Sequence, residues 1–498
     1  MTARREAMKV PAAILCLFLS ACAASQSADV AIRGATVVDV VRGALVPNQT
    51  ILIAGNRIVT VGPTEEVKID SETDVIDGSG GYLIPGLWDM HVHSVRKPAG
   101  NWEEAELANV DWHFPLFLAH GVTGVRNMND GSADVTLEFT NSVKRRMAEG
   151  ELLGPRLVTS GPLVDGDPPV GANPVVVRTA DEARAVVDSL ADAGADFIKP
   201  YENLSRQAYF AILDQAQRRG LAVDGHLPFR ITPEEGARAG QRTIEHPEAL
   251  AAGCSTEAEA VRDRFSAALT NLNTLPASEQ FLAQFRLYRA FYDSRDPAAC
   301  VAASEVFRRR DVAVTPDLVA YHHVVHAEEI LADSARMRLV PEAIRRSWEG
   351  WAGEETAEEM RTILRPVLPL ELDNVRLLNE AGVILLAGTD VGVPFQVPGI
   401  SLHVALERLV KARLTPLEAL RTATLNPAQV LGMSDSLGTV EPGKLADLVL
   451  LGANPLEEIG NARRIRAVVV NGQLLRRGAL DRLIAEVEGL NQPSENRD

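Results

Sequence analysis

Short apolar runs alternate with longer amphipathic stretches through most of this chain. Eight such runs lie between residues 85 and 431, and they end near His93, Arg126, Val164, Lys199, His226, His246, Pro316 and Asp390. Helical patterns separate the runs, which is typical of βα units built around a parallel sheet. Eight units predict an α/β fold, a (β/α)8 TIM-like barrel, which places its chemistry at the carboxyl ends of its strands.

The two flanks of the chain have a different pattern. Residues 29–84 contain short β-rich runs, with Gly55-Asn56 between two of them as a hairpin signal. Residues 432–480 also contain short β-rich runs. We therefore expect the flanks to form one composite β-sandwich domain, with the barrel of residues 85–431 inserted between them.

The connection from His246 to Asp311 is too long for a plain crossover between two strands. Its Ala, Glu, Arg and Leu content predicts a helical insertion at about 250–310, over the mouth of the barrel. Cys254 and Cys300 lie in this stretch, and two cysteines in an exported chain favour a disulfide. Two separate buried thiols are the alternative. A bridge would add about 4 kcal/mol of stability in the chain-entropy model.

The amino terminus has the pattern of an export signal. A basic stretch precedes an apolar run from Val10 to Ala21, which is too short to span a membrane. The run ends in Leu19-Ser20-Ala21-Cys22, which resembles a bacterial lipobox. The resemblance implies a lipoprotein signal peptide at residues 1–22, lipidation of Cys22, and a periplasm-facing location at the outer membrane of a Gram-negative-type bacterium. An ordinary secretory signal, giving a soluble periplasmic protein, is the alternative.

Composition restricts the expected partners. The chain has 67 acidic and 50 basic residues, for a formal net charge of −17, and 46% of its residues are hydrophobic. Because no basic block lies in the body of the chain, nucleic acid is not an expected partner. We expect a small-molecule substrate and membrane attachment only through the lipid anchor, while a homo-oligomer is compatible with the sequence.

Candidate metal ligands cluster at the predicted strand ends. His91-Val92-His93 would aim both imidazoles at one spot, because residues i and i+2 of a strand share a face. Lys199, His226, His246 and Asp390 end four further strands. Each has an ordinary explanation alone, such as a snorkelling lysine, a core histidine or a helix-capping aspartate. Together, at corresponding ends of one barrel, they predict a metal site.

This arrangement resembles the amidohydrolase superfamily, in particular imidazolonepropionase-like proteins and binuclear dipeptidases. The match extends to Ile244-Glu245-His246, Ala387-Gly388-Thr389-Asp390 and the tail Gly438 to Val449. The resemblance implies two divalent metal ions, zinc being the expected metal. It assigns His91, His93 and Asp390 to one ion, His226 and His246 to the other, and a carboxylated Lys199, formed with CO2, to the bridge between them.

The same resemblance implies a reaction. A metal-bridging hydroxide would cleave an amide bond in a small carboxylate-bearing substrate, such as a dipeptide or N-acyl amino acid, with Asp390 as proton shuttle. Candidate substrate contacts are Arg126 for a carboxylate, Tyr201 for the carbonyl oxygen, and His322 or His323 for the oxyanion. A purely structural role is the alternative for each of these side chains.

Two other functions remain open. One is a mononuclear cyclic-amide hydrolase or deaminase on the same fold, in which Lys199 would be idle. Deaminases of the superfamily usually add a glutamate near the third histidine, but His226 is followed by Leu227-Pro228-Phe229. The other is a non-catalytic metal-binding lipoprotein, against which the complete set of ligand-type residues argues.

Overall fold

The computed structural model describes residues 28–95, 110–129, 137–170, 174–272 and 277–490. The expected signal peptide and Cys22 lie outside these residues, so export and lipidation stay predictions. Among the described residues, no helix is both long enough and apolar enough to cross a bilayer.

The strands follow the chain in this order: β1 (Val30–Asp39), β2 (Ala44–Ala54), β3 (Arg57–Pro63), β4 (Asp74–Asp77), β5 (Tyr82–Pro85), β6 (Leu87–Val92), β7 (Val122–Asn127), β8 (Arg156–Thr159), β9 (Val164–Asp165), β10 (Val175–Val176), β11 (Phe197–Ile198), β12 (Ala222–Gly225), β13 (Thr243–Glu245), β14 (Ala313–Thr315), β15 (Leu448–Leu451), β16 (Ile465–Val470) and β17 (Gln473–Arg476).

The helices are α1 (Val110–Ala119), α2 (Leu137–Ala148), α3 (Ala180–Asp192), α4 (Arg206–Arg219), α5 (Pro233–Ala239), α6 (Glu248–Cys254), α7 (Ala258–Leu272), α8 (Ala277–Asp293), α9 (Pro297–Arg309), α10 (Val319–Val325), α11 (Ala327–Ala332), α12 (Ser334–Met337), α13 (Glu342–Ala352), α14 (Glu355–Leu364), α15 (Leu368–Glu380), α16 (Ile400–Lys411), α17 (Pro416–Thr422), α18 (Leu425–Val430) and α19 (Arg477–Gly489). A 3₁₀ helix spans Ile459–Arg463.

Strands from both flanks share one sheet. Its order is β17-β16-β15-β5-β1-β2-β3, with β4 paired to β1. The flanks meet where β15 runs antiparallel to β5, with Val449 opposite Ile84. Apolar side chains such as Ile32, Leu83 and Leu448 are buried against this sheet. The flanks therefore pair directly, while their arrangement as a two-layer sandwich stays a prediction.

The middle of the chain has a TIM-barrel-type α/β fold. Parallel strands form two groups, β6-β7-β8 and β11-β12-β13-β14. Parallel bridges add Val164 to Pro200, Val314 to Leu385 and Val92 to Val391. The last two bridges place residues 385–391 between β14 and β6. The carboxyl ends of these strands consequently face one region.

The eighth apolar run differs from a regular strand. Within the run that ends at Asp390, the structure has only the isolated bridge at Leu385. A side chain at Gly388 would overlap Asp317 and Thr315, so the backbone approaches β14 closely there. Asp390 itself has a φ of 60°. Backbone hydrogen bonds still hold the run on both sides, from the amide of Leu386 to Val314 of β14 and from the amide of Asp390 to His91 of β6.

Helices α6, α7, α8 and α9 form an insertion between β13 and β14. A disulfide joins Cys254, at the end of α6, to Cys300 in α9, with 4.7 Å between their Cα atoms. The insertion has its own apolar core, in which Phe265 stacks on Phe229 with ring centroids 3.9 Å apart. Because Phe229 follows β12, this core attaches the insertion to the carboxyl end of the barrel strands.

Candidate metal centre

His91, His93 and Asp390 meet at the end of β6. The Nε2 atoms of His91 and His93 lie 3.5 Å and 3.0 Å from Oδ1 of Asp390. The backbone amide of Asp390 donates to the carbonyl of His91 at 2.8 Å. The left-handed backbone of Asp390 and this hydrogen bond together hold its carboxylate against both imidazoles.

His226 and His246 lie on the other side of this group. The ring centroid of His246 is 5.0 Å from that of His91 and 4.8 Å from that of His226. Lys199, which directly follows β11, is only 1% exposed and interacts electrostatically with the imidazoles of His91, His226 and His246. The structure therefore brings together all six side chains that the sequence assigned to metal binding.

Burial sets the protonation states of this group. It lowers the pKa of His226 to about 3 and that of His246 to about 4, so both imidazoles are neutral at pH 7. Burial opposes ionisation of Asp390, but the neighbouring His91 and His93 outweigh it and hold the pKa of this carboxyl below its ordinary range. Neutral imidazoles and an ionised carboxylate are the forms that bind divalent metals.

The donor set fits a metal ion. Ligand atoms of His91, His246 and Asp390 all lie within 4.8 Å of one another. A second group, His91 with Glu245 and Asp317, meets the same distance limit. In that group Nδ1 of His91 lies 3.2 Å from Glu245 and 2.9 Å from Asp317. These carboxylates therefore orient the ring of His91 from behind, so that its Nε2 points toward Asp390.

Glu202 is a functional residue that the sequence did not reveal. Nδ1 of His226 lies 2.8 Å from its Oε1, and the carboxylate also accepts hydrogen bonds from Gln284 and Tyr288 of α8. Burial raises the pKa of Glu202 to about 7. Its one sequence signal is its position three residues after Lys199. The contact with His226 depends on the fold of two separate loops.

Glu245 and Asp317 were also missed as ring-orienting carboxylates. Glu245 immediately precedes His246, and the left-handed backbone of His246 lets both side chains lie beside His91. Asp317, two residues past β14, has a φ of 41°. Adjacency to a candidate ligand was the available signal for Glu245, and for Asp317 it was the position directly after the apolar run that ends near Pro316.

A family model described as "Amidohydrolase family" matches residues 82–475 of the chain. The protein belongs to the amidohydrolase family. An adenine deaminase of Moorella thermoacetica is 24% identical over 470 residues, which cover 94% of this chain and 61% of that protein. An imidazolonepropionase of Geobacillus thermodenitrificans is 26% identical over 444 residues, or 82% of this chain and 85% of that protein.

Solved structures share the fold of this amidohydrolase. A Xaa-Pro dipeptidase crystallised with methionine in its active site is 22% identical, with a TM-score of 0.64 over 90% of this chain and 99% of that chain. Bottromycin amidohydrolase is also 22% identical, with a TM-score of 0.68 over 92% of this chain and 90% of that chain. Family and relatives together support a metal-dependent enzyme that acts on carbon–nitrogen bonds.

Arg126 is not placed to bind a substrate carboxylate, which corrects the sequence-based assignment. Its side chain is fully buried, and its Nη2 donates to Glu245 at 2.8 Å. Nη1 lies 3.2 Å from Asp224, and Nε donates to the carbonyl of Met90 at 2.7 Å. The guanidinium of Arg126 is thus paired with buried groups among the strands, where it holds Glu245 behind His91.

His322 and His323 also lie away from the metal ligands, contrary to the expected substrate contact. Both line a separate cavity of about 300 Å³. Nδ1 of His323 lies 2.9 Å from the side-chain carbonyl of Gln396. Helix α10 turns the preceding residue, Tyr321, toward the metal ligands instead. The histidine pair therefore lines a different cavity from the one that Asp390 and Tyr321 line.

Tyr201 lies where the sequence predicted, beside the metal ligands. Its ring centroid is 4.3 Å from that of His226, and Nζ of Lys199 lies 5.9 Å from the centre of the Tyr201 ring. Burial raises the pKa of Tyr201 well above its ordinary value, so the phenol keeps its proton and is a hydrogen-bond donor. A cavity of about 510 Å³ opens at Tyr201, His226, His246 and Asp390.

Proposed function

We propose that this amidohydrolase cleaves an amide bond in a small carboxylate-bearing substrate, such as a dipeptide or an N-acyl amino acid. The observation that carries the proposal is the convergence of His91, His93 and Asp390 with His226 and His246 beside one cavity. Five neutral or anionic ligands of this type exceed what a single structural ion needs. A pair of divalent metal ions, with zinc as the expected metal, accounts for all of them.

In this proposal His91, His93 and Asp390 hold one ion, and His226 and His246 hold the other. A carbamate on Lys199, formed when its Nζ adds to CO2 with release of one proton to solvent, would supply anionic oxygens to both ions. Burial lowers the pKa of Lys199 to about 8, which increases the fraction of free amine that can react. When bound, the two ions would acidify a coordinated water and polarise the substrate carbonyl.

The residues of the chain then carry the proton transfer. Asp390, ionised and in contact with His93, accepts a proton from the attacking water and delivers it to the leaving nitrogen. Protonation of that nitrogen makes it a competent leaving group as the carbon–nitrogen bond breaks. The protonated phenol of Tyr201 is placed beside His226 to donate a hydrogen bond to the carbonyl oxygen.

The relatives favour one second candidate. Adenine deaminase and imidazolonepropionase lie among them, which supports a mononuclear cyclic-amide hydrolase or deaminase. Under that alternative Lys199 would stay a free amine and a single ion would suffice. A non-catalytic metal-binding lipoprotein is the third alternative, and it predicts bound metal without turnover.

A substrate screen of zinc-loaded protein tests these alternatives. We expect release of free amino acid from N-acyl amino acids or dipeptides, loss of that release with a chelator, and recovery when zinc is restored. Ammonia from adenine, or ring opening of a cyclic amide in place of these products, would support the mononuclear alternative. Full metal loading without product from any of these substrates would contradict catalysis. Asp390→Asn serves as the matched inactive control.

We also propose, from the sequence alone, that the enzyme works outside the cytoplasm. The lipobox-like Leu19-Ser20-Ala21-Cys22 supports attachment of the mature protein to a membrane through lipid on Cys22. Its substrate would then be a periplasmic compound. Self-association into a homo-oligomer stays a prediction.

A further inference from the structure

The cavity beside the metal ligands has mainly apolar walls. The insertion contributes Leu282, Phe285 and Phe291 from α8, while α14 contributes Met360 and Leu364. These helices lie outside the parallel strands that supply the ligands. The loops after the barrel strands therefore form the catalytic end of the cavity. Helices such as α8 and α14 line the rest of the cavity, whose volume is about 510 Å³.

These walls are held by packing with one another. The rings of Phe285 and Tyr321 meet edge to face with centroids 5.4 Å apart. Phe265 stacks between Phe229 at 3.9 Å and Phe291 at 6.1 Å. Side chains fixed in this way form a pocket before any ligand enters, which lowers the entropic cost of binding an apolar group.

One arginine interrupts the apolar lining. Among the described residues that line the cavity, Arg262 of α7 is the only lysine or arginine. Its Nη2 donates to the carbonyl of Ala252 at 3.2 Å, and no other hydrogen bond to its guanidinium is present within the described part of the chain. The remaining N–H groups form a fork suited to a carboxylate.

Carboxylates line the catalytic end of the same cavity. Glu202, Glu245 and Asp390 line the cavity together with His226 and His246. In the proposed metal-loaded enzyme, the two divalent ions would offset these carboxylates and engage the amide carbonyl, which leaves the Arg262 guanidinium to pair with the substrate carboxylate. An anionic substrate would then bind with its amide toward Asp390 and its carboxylate toward Arg262 of α7, since both residues line this cavity.

We infer that this cavity selects amides of amino acids with a bulky apolar side chain, aromatic or long aliphatic, and that Arg262 holds their carboxylate. The inference rests on the proposed amide hydrolysis and adds the substrate class and a specificity-determining residue. It assigns the insertion a direct role in recognition, since Arg262 and much of the apolar wall belong to it.

Side-chain size is tested with N-acetyl-alanine, N-acetyl-leucine and N-acetyl-phenylalanine on zinc-loaded protein. Each added methylene in an apolar site changes kcat/KM by roughly 10-fold or more. We expect kcat/KM for the leucine and phenylalanine compounds to exceed that for alanine by about 100-fold or more. Ala249→Leu, which narrows the cavity, should lower kcat/KM for the phenylalanine compound more than for the alanine compound. Equal kcat/KM across the series would overturn the apolar selection.

Arg262 is tested by pairing each substrate with its carboxamide analogue. Arg262→Met should lower kcat/KM for N-acetyl-phenylalanine at least about 10-fold, mainly through KM, and leave its carboxamide unchanged. Arg264→Met is the matched control, because Arg264 lies on the same helix, is exposed and does not line the cavity. Equal losses on both substrates would overturn the anchoring role.

One further measurement separates a failure of substrate recognition from a failure of the proposed hydrolysis. Calorimetric binding of phenylalanine, the expected product, to zinc-loaded protein should weaken in Arg262→Met and less in Arg262→Lys, and this readout is independent of turnover. If Arg262→Met does not fold, the Arg262→Lys comparison decides the question. Absence of turnover with every amide, despite bound zinc and phenylalanine binding, would contradict the proposed hydrolysis and leave the recognition site standing.

Discussion

Nδ1 of His226 lies 2.8 Å from Oε1 of Glu202, on a loop that follows a different strand. This contact directs the other ring nitrogen of His226 toward the metal site and fixes the tautomer that can bind there. Gln284 and Tyr288 of α8 donate to the same carboxylate. The insertion is thus connected to a metal ligand through two hydrogen bonds.

Glu202→Gln should weaken zinc binding by about 10- to 100-fold at pH 8, the usual effect of removing such an orienting carboxylate. The amide keeps the shape of the side chain and loses its charge. Competition with a chromophoric chelator measures the change. Glu257→Gln, an exposed substitution in the insertion, is the control. Unchanged affinity in Glu202→Gln would show that Glu202 does not support His226.

The same contact predicts a pH dependence. Burial raises the pKa of Glu202 to about 7 in the metal-free protein, so its negative charge is lost as the pH falls through 7. Since metal binding favours the ionised form, zinc affinity should decrease below pH 7 in the wild type. In Glu202→Gln the part of this decrease in zinc affinity that comes from protonation of Glu202 should be absent. Parallel affinity profiles for the two proteins between pH 8 and 6 would contradict the assignment.

Arg126→Met should destabilise the fold rather than impair substrate binding. The substitution removes the guanidinium that pairs with the buried carboxylate of Glu245, while Asp224 keeps its pairing with Arg242. Breaking a buried pair in this way costs about 3–5 kcal/mol, which urea unfolding can measure. Active protein that remains should show the same KM ratio between a carboxylate substrate and its carboxamide as the wild type. A selective rise in KM for the carboxylate would restore Arg126 to the substrate site.

The strand ends could be predicted because they depend on local pattern. An apolar run followed by His, Lys or Asp marks a polar side chain at the carboxyl end of a buried strand, as at Lys199 and His246. Arg126 has the same pattern, yet its long side chain reaches inward to Glu245. Pattern gives the position of a residue along a strand but not the direction that a flexible side chain takes.

The rotation of helix α10 explains why His322 and His323 were wrongly predicted to contact the substrate. Tyr321, His322 and His323 follow one another on α10, and one helical turn decides which of them faces the cavity. The packing of Tyr321 against Phe285 settles that rotation, and Phe285 lies in a distant part of the sequence. Glu202 was missed for a similar reason, because its contact with His226 depends on how two loops meet.

Asp390→Asn should slow the chemical step by about 10²–10⁴-fold, the range for loss of a general acid–base group. Asparagine keeps one oxygen that can contact a metal ion, so metal content should fall only modestly. Single-turnover hydrolysis at saturating zinc measures the step. Near-wild-type turnover under these conditions would contradict the shuttle role, and Tyr201 would become the remaining candidate among the residues at the site.

Cys22→Ser should abolish lipid attachment if the lipobox-like sequence is used. Labelled fatty acid should enter the wild-type protein expressed in a Gram-negative host and be absent from the variant. The variant should also leave the membrane fraction. Equal labelling of the wild type and Cys22→Ser would favour an ordinary secretory signal. A soluble wild-type protein with the same mature length as Cys22→Ser would favour it too.

Amide hydrolysis in the proposed mechanism depends on two metal ions and a carbamate on Lys199. The decisive experiment is zinc titration of metal-free protein, with hydrolysis of an N-acyl amino acid as the readout. Activity should rise until about two equivalents of zinc per chain are bound, as for a two-metal hydrolase. Lys199→Ala should lack this rise and regain part of it with added short carboxylic acids. Full activity at one equivalent of zinc, or two tightly bound ions in Lys199→Ala, would overturn the two-metal proposal.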